Sequence, residues 1–155
     1  YWVDAEIWCP KVFQILKRGG AFALFRYNAI PADGNALYED IQAVYERYYH
    51  KPFKRLSKTT EEDCSQPSGI RNGFGFEDLT PYGFTDVSMK RYQAARIFGA
   101  GDYIAVLKTY PDHRSLPEGS QTALYAGVKN AIMKHGGRLQ VNYVFQLYMG
   151  RKPLS

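Results

Sequence analysis

Val12-Phe13-Gln14-Ile15-Leu16-Lys17-Arg18-Gly19-Gly20 followed at once by Ala21-Phe22-Ala23-Leu24-Phe25 reads as a helix delivered into a strand. The chain writes the unit a second time: Ala131-Ile132-Met133-Lys134-His135-Gly136-Gly137 leads into Arg138-Leu139-Gln140-Val141. Lys17 and Arg18, like Lys134 and His135, stand where cations favour the negative end of a helix dipole. One glycine of each pair is free to take the left-handed conformation that closes a helix. The spacing therefore predicts that both helices stop at their glycines. Residues 21–25 are uninterrupted apolar, which suits a parallel strand covered on both faces; a buried helical segment looks the same over so short a run, and the preceding turn favours the strand. In the second copy Leu139, Val141, Tyr143, Phe145, Leu147 and Met149 alternate with Arg138, Gln140, Asn142, Val144, Gln146 and Tyr148. That period of two predicts a long strand, antiparallel to its neighbours.

Working outward, Tyr1-Trp2-Val3-Asp4, the helix closing on Ile15-Leu16-Lys17-Arg18-Gly19-Gly20 and the strand leading to Tyr27-Asn28 follow one another in an order that resembles the middle of a class I S-adenosylmethionine-dependent methyltransferase of the small-molecule type. That family has an aromatic-His-Trp stretch after its fourth strand, a helix ending in a Leu-Lys-Pro-Gly-Gly-like turn, a fifth strand, a variable lid and a closing antiparallel hairpin. Gly101-Asp102-Tyr103-Ile104-Ala105-Val106-Leu107-Lys108-Thr109-Tyr110, then Asp112-His113-Arg114, is similar to the helix and loop ahead of the last helix in one branch. The resemblance spans nearly the whole chain. It departs at Arg18, where the family usually has Pro, and at Tyr1, where a His often precedes the tryptophan.

The resemblance implies an α/β fold: part of a Rossmann-like sheet in which strands lie in the order five, seven, six, the seventh antiparallel between the others, with a helical lid inserted over about residues 29–83. It also implies that residues 1–155 form the carboxyl-terminal portion of a single methyltransferase domain. The Gly-rich loop after a first strand and the acidic residue after a second, which hold the cofactor in such folds, are not found in the sequence. Gly73-Phe74-Gly75-Phe76 follows Pro67 and Ser68 instead of a strand, and Gly99-Ala100-Gly101 reads as a helix N-terminus in a loop.

Composition fits a folded unit: 155 residues, 45% hydrophobic and 15% aromatic, enough apolar surface for a core. The net charge of +5 is scattered, with Lys51, Lys54, Arg55, Lys58, Arg71, Lys90, Arg91 and Arg96 forming no dense run. Nucleic acid is therefore not an expected partner. Cys9 and Cys64 stand far apart, and His50, His113 and His135 share no short ligand spacing with them, so no metal site is signalled. No apolar run is long enough to span a bilayer, and no leader pattern precedes the first helix, so the expectation is a cytoplasmic protein without membrane contact.

Between the two repeated units, Leu37, Ile41, Val44, Tyr45 and Tyr48 share one helical face, opposite Glu39, Asp40, Gln42, Glu46 and Arg47, with Asp33 or Asn35 available as cap. Residues 57–75 read as a loop. Residues 84–92 read as a strand and 103–110 as a helix with Asp102 near its start; a helix over about 118–135 turns Leu124, Val128, Ala131 and Ile132 inward.

Methyl transfer asks chiefly for alignment of the nucleophile, with removal of a proton where the acceptor carries one. By the resemblance S-adenosylmethionine is the cofactor, a small molecule the substrate, and Trp2 the residue nearest the cofactor; the competing reading of Trp2 is a tryptophan half buried at a sheet edge. Tyr27 and Asn28, leaving the carboxyl end of the first strand, are candidates to orient the substrate, or else loop caps. Thr109 and Tyr110 are further substrate candidates, and His113 is a candidate base, against the reading of a surface histidine. A second function class stays open: a non-catalytic α/β binding module using the tyrosine-rich surface, the chain having 13 tyrosines. A strand that lacks one neighbour leaves an open edge, so a chain of these residues alone is expected to form homodimers or exchange strands.

Overall fold

The computed structural model describes residues 5–30, 36–50 and 76–155. The elements run α1 (Ala5–Ile15), β1 (Ala21–Ile30), α2 (Ala36–Tyr48), a 3-10 helix (Phe76–Tyr82), β2 (Thr85–Gly99), α3 (Ala100–Leu107), α4 (Pro111–Arg114), α5 (Glu118–Lys134) and β3 (Arg138–Arg151). Trp2 and the loop expected over 57–75 lie outside the described residues.

The repeated helix–glycine–strand unit is present in both copies. α1 ends at Ile15 and α5 at Lys134; Gly19 adopts φ +74°, and Gly136 and Gly137 adopt +91° and +76°. A side chain at those angles is strained, so glycine is what lets each helix end and the chain turn into its strand.

The three strands pair in the order β1-β3-β2. The start of β1 meets the end of β3, with Gly19 N–H donating to the Lys152 carbonyl and Lys152 N–H to the Gly20 carbonyl, both at 2.9 Å. The start of β2 likewise meets the end of β3, where Thr85 Oγ1 reaches the Arg151 carbonyl. β3 is thus antiparallel to both neighbours, and β1 and β2 are parallel to each other, the last strand lying in the middle as the sequence suggests. One expectation fails: residues 21–25 are not covered on both faces. β1 alternates between exposed and half-buried along its whole length, and Phe25 is 79% exposed. Among the described residues β1 has a single strand neighbour and one open face, so its apolar run is buried on one side only. β2 is continuous from Thr85 through Arg96, Ile97 and Phe98, the stretch that reads as a brief extension, and it passes from Gly99 directly into α3 with no loop between.

The described residues form two compact units. The first holds α1, β1, the 3-10 helix, the first part of β2 and the last part of β3. Its core is Cys9, Leu79 and Phe84, packed by Trp8, Val12, Phe13, Leu16 and Phe22 among others. Phe84 meets Phe13 edge-on at 5.1 Å between centroids and Phe22 at 5.8 Å. The end of α1 is held by one cation: Lys152 Nζ donates to the carbonyls of Phe13 (2.7 Å), Leu16 (2.9 Å) and Gln14 (3.4 Å), carbonyls that a helix terminus otherwise leaves unpaired. Lys152→Met keeps the stem and removes the charge. Urea denaturation should show a loss of about 1–2 kcal/mol, the value of hydrogen bonds to a charged group reduced for partial exposure; an unchanged midpoint would mean that water serves those carbonyls equally well.

The second unit holds α2, the rest of β2, α3, α4, α5 and the start of β3. Its core joins Leu37 and Ile41 of α2, Ala100, Ile104 and Leu107 of α3, Leu116, and Leu124, Val128, Ala131 and Ile132 of α5. These include every inward position expected for α5, and α2 packs by its predicted stripe. Gly127 lets α2 approach closely, since a Cβ there would lie 2.7 Å from Val44 Cγ1.

Candidate functional site

In the first unit the polar residues gather toward the carboxyl end of β1. Counting from the Gly20–Lys152 pair, the antiparallel register sets Arg26 opposite Gln146, and the pleat turns Asn28 to the same face. Arg26 Nε donates to Gln146 Oε1 at 2.9 Å, and Asn28 Nδ2 donates to the same oxygen at 3.2 Å. Arg26 Nη2 donates to the Tyr148 hydroxyl. Gln146 and Tyr148 are both fully buried, whereas Arg26 is half-buried. Gln146 Nε2 lies 3.9 Å from Met89 Sδ. Buried polar groups are tolerable only when paired, and here each side chain fixes the next.

Tyr27 and Asn28 do not act as a pair. Both lie within β1, which runs on to Ile30, so neither caps a loop, and alternation sends them to opposite faces. Asn28 joins the Arg26 array. Tyr27, 53% exposed, packs its ring against Tyr143 at 5.6 Å and Phe145 at 6.0 Å.

In the second unit His113 lies in the single turn of α4 rather than in a loop, and it is buried, with 2% of its surface exposed; the surface-histidine reading is overturned. Tyr45 of α2 and Tyr49, the residue just past its end, bring their rings to 5.6 and 5.1 Å from the imidazole. Tyr110, which precedes α4, lies at 5.6 Å, and Tyr125 of α5 stacks at 6.1 Å. The Tyr45 hydroxyl stands 3.3 Å from His113 Nε2, Gln121 donates to the His113 carbonyl at 3.0 Å, and the Tyr49 hydroxyl donates to Asp112 Oδ2. Burial lowers the His113 pKa, with the Asp112 charge acting in the opposite direction. Burial also raises the Tyr45 and Tyr49 hydroxyls, and for Tyr49 the bond to Asp112 adds to it. Near neutrality the cluster therefore consists of a neutral imidazole among neutral phenols. His113 Nδ1 and the Tyr125 hydroxyl are buried without a hydrogen-bond partner.

Thr109 does not join this cluster through its hydroxyl, which bonds the Val106 carbonyl one turn back at 2.7 Å and finishes α3. At the junction of β2 and α3, the position a Cβ on Gly99 would take lies 3.3 Å from Asp102 Oδ2; a carboxylate already occupies that helix start.

Sequence reasoning missed Arg26, Gln146 and Tyr148 in the first unit and Tyr45, Tyr49, Asp112 and Tyr125 around His113. The available signals were an arginine inside an otherwise apolar strand and two tyrosines four residues apart.

No family model matches the chain, and no curated protein matches it. Among solved structures it is similar to phosphoethanolamine N-methyltransferase 2 from Haemonchus contortus. One such structure is a complex with phosphomonomethylethanolamine and S-adenosylhomocysteine, at 12% identity and a TM-score of 0.34. Another is a complex with S-adenosyl-L-methionine, at 13% identity and a TM-score of 0.33. Each match covers 98% of this chain and 30% of the other, so the chain spans less than a third of the length of those enzymes. At these values the likeness fixes neither the fold nor the activity of this chain.

Proposed function

We propose that this chain is the substrate-facing, carboxyl-terminal portion of a methyltransferase domain that transfers a methyl group from S-adenosylmethionine to a small molecule. The observation that carries the reading is the strand arrangement: β1-β3-β2, with β3 antiparallel between two parallel neighbours. It is the arrangement that the resemblance implies for the end of such a sheet. Residues that would seat the cofactor are not among those described, so the roles assigned to this chain concern the substrate alone. When bound, the cofactor supplies an activated methyl group, and the protein's task is orientation and, for a protonated acceptor, removal of a proton.

Asn28 suits the first task because its amide is held by Gln146, on the face and at the strand end where open α/β sheets bind ligands. His113 does not suit the second: it is 2% exposed and enclosed by the rings of Tyr45, Tyr49, Tyr110 and Tyr125, so its imidazole presents no accessible nitrogen to a substrate, and no described residue is assigned the removal of a proton.

The test is a calorimetric titration of S-adenosylmethionine into the protein as isolated from its source and, separately, into a chain of these 155 residues. Saturable binding by the source protein and none by the 155-residue chain is the expected result. A source protein that does not bind would sink the methyltransferase reading in favour of a binding module.

A further inference from the structure

We infer that Arg26 anchors an oxyanion, a carboxylate or phosphate, carried by the small molecule this protein binds; the inference rests on the substrate-facing role proposed above. Arg26 is partly buried and its position is fixed. Nε is held by Gln146 Oε1 at 2.9 Å and Nη2 by the Tyr148 hydroxyl, and both partners are inaccessible to solvent. Neither partner carries a charge, and among the described residues no carboxylate pairs with this guanidinium. A partly desolvated cation held by neutral groups alone is an uncompensated cost to the fold, and removal of water strengthens its attraction for an anion.

The rest of the array has the same polarity. Gln146 Oε1 already accepts two hydrogen bonds, from Arg26 and Asn28, so the main acceptor of the cluster is engaged. What is left to offer is donors: the N–H groups of the guanidinium fork not taken up by Gln146 and Tyr148, and the second amide hydrogen of Asn28. A planar fork with donors to spare matches a carboxylate or phosphate edge, which it can grip through two parallel bonds. Lysine would supply the charge without that geometry. The site lies at the carboxyl end of β1, and the sequence changes there from Phe22 and Leu24 to Arg26 and Asn28 on one face of the strand.

The experiment titrates inorganic phosphate and, separately, acetate into the full-length protein at low ionic strength, with S-adenosylmethionine binding measured on the same preparation. Saturable binding of at least one oxyanion is expected, and which one binds tells a phosphoryl group from a carboxylate. Arg26→Gln should weaken it about tenfold or more, Arg26→Lys should restore part of it, and neither should change the affinity for S-adenosylmethionine. Failure of both oxyanions to bind, or equal binding by Arg26→Gln, overturns the site. If S-adenosylmethionine binds in that case, the methyltransferase reading survives without it; oxyanion binding without S-adenosylmethionine binding removes that reading and keeps the anion site. Should Arg26→Gln fail to fold, the Nε–H resonance of Arg26 in the wild-type protein decides: a saturable shift with phosphate or acetate supports the site, and an unmoved resonance overturns it.

Discussion

Phe84→Ala is expected to destabilise the first unit by about 3–5 kcal/mol, the usual range for truncating a buried aromatic ring. Phe84 is 2% exposed. Its ring is gripped by Phe13 from α1 and Phe22 from β1, and a Cβ on Gly150 of β3 would lie only 3.1 Å from its own Cβ. Helix and strand backbones surround the ring, so the cavity cannot close by the shift of one flexible side chain. Gly83 aims it there: φ +91° and the bond from its N–H to the Thr80 carbonyl at 3.0 Å turn the chain out of the 3-10 helix. Phe84→Leu, which keeps most of the volume, should cost less than about 1.5 kcal/mol. The measurement is urea denaturation followed by tryptophan fluorescence, because Trp8 lies 5.4 Å from Phe22 and reports on the same core. A loss below about 1 kcal/mol for the alanine variant would show that this ring is not central to the unit.

The second large effect is acid sensitivity centred on His113. The groups facing the imidazole are Tyr45 from α2 and Tyr49 just past its end, Tyr110 and Asp112 beside it, and Tyr125 from α5. Only Asp112 among them is charged, and its Oδ2 already accepts the Tyr49 hydroxyl. Burial is the larger influence, so the folded-state pKa lies below the unfolded one. The unfolded chain then binds the proton more readily. Stability is fully present above the unfolded pKa, near 6.5, and falls as the pH drops from there toward the folded pKa, with a slope of at most about 1.4 kcal/mol per pH unit for one proton. Asp40 contributes separately at lower pH: its pKa is lowered by hydrogen bonds from Lys134 and then His135, so its contribution is lost only below the ordinary carboxylate range. His113→Gln, neutral throughout, should remove the slope between pH 7.5 and 5.5 while leaving the acid limb below pH 4. Parallel wild-type and variant curves between pH 7.5 and 5.5 would show that His113 does not gain its proton on unfolding.

Much of the local structure is legible in the chain because its signals are local. The Gly19-Gly20 and Gly136-Gly137 turns, the helical stripe of Leu37 and Ile41, the inward set on α5 and the long alternation of β3 all follow from periods of two and of 3.6 and from the conformational freedom of glycine. The position of β3 in the middle of the sheet was expected from the order of segments and their family resemblance.

The faces and the sites were not legible. In β3 both alternating sets contain apolar and aromatic residues, so periodicity does not say which turns inward. The structure buries Val144, Gln146, Tyr148 and Gly150 and leaves Phe145 38% exposed. A glutamine reads as outward in sequence. It is buried because Arg26, 120 residues away, satisfies its oxygen. His113 reads as a surface histidine until α2 brings Tyr45, 68 residues distant, against it.

The amino-acid order by itself determined that α1 and α5 stop at their glycines and that a strand follows each, since those choices depend on neighbours within a turn or two of backbone; the ends of β1, β2 and α3 differ from the local reading. Only the tertiary structure decided which face of each strand is buried and which polar groups meet, because strand register and helix packing join side chains whose separation along the chain carries no signal of their contact.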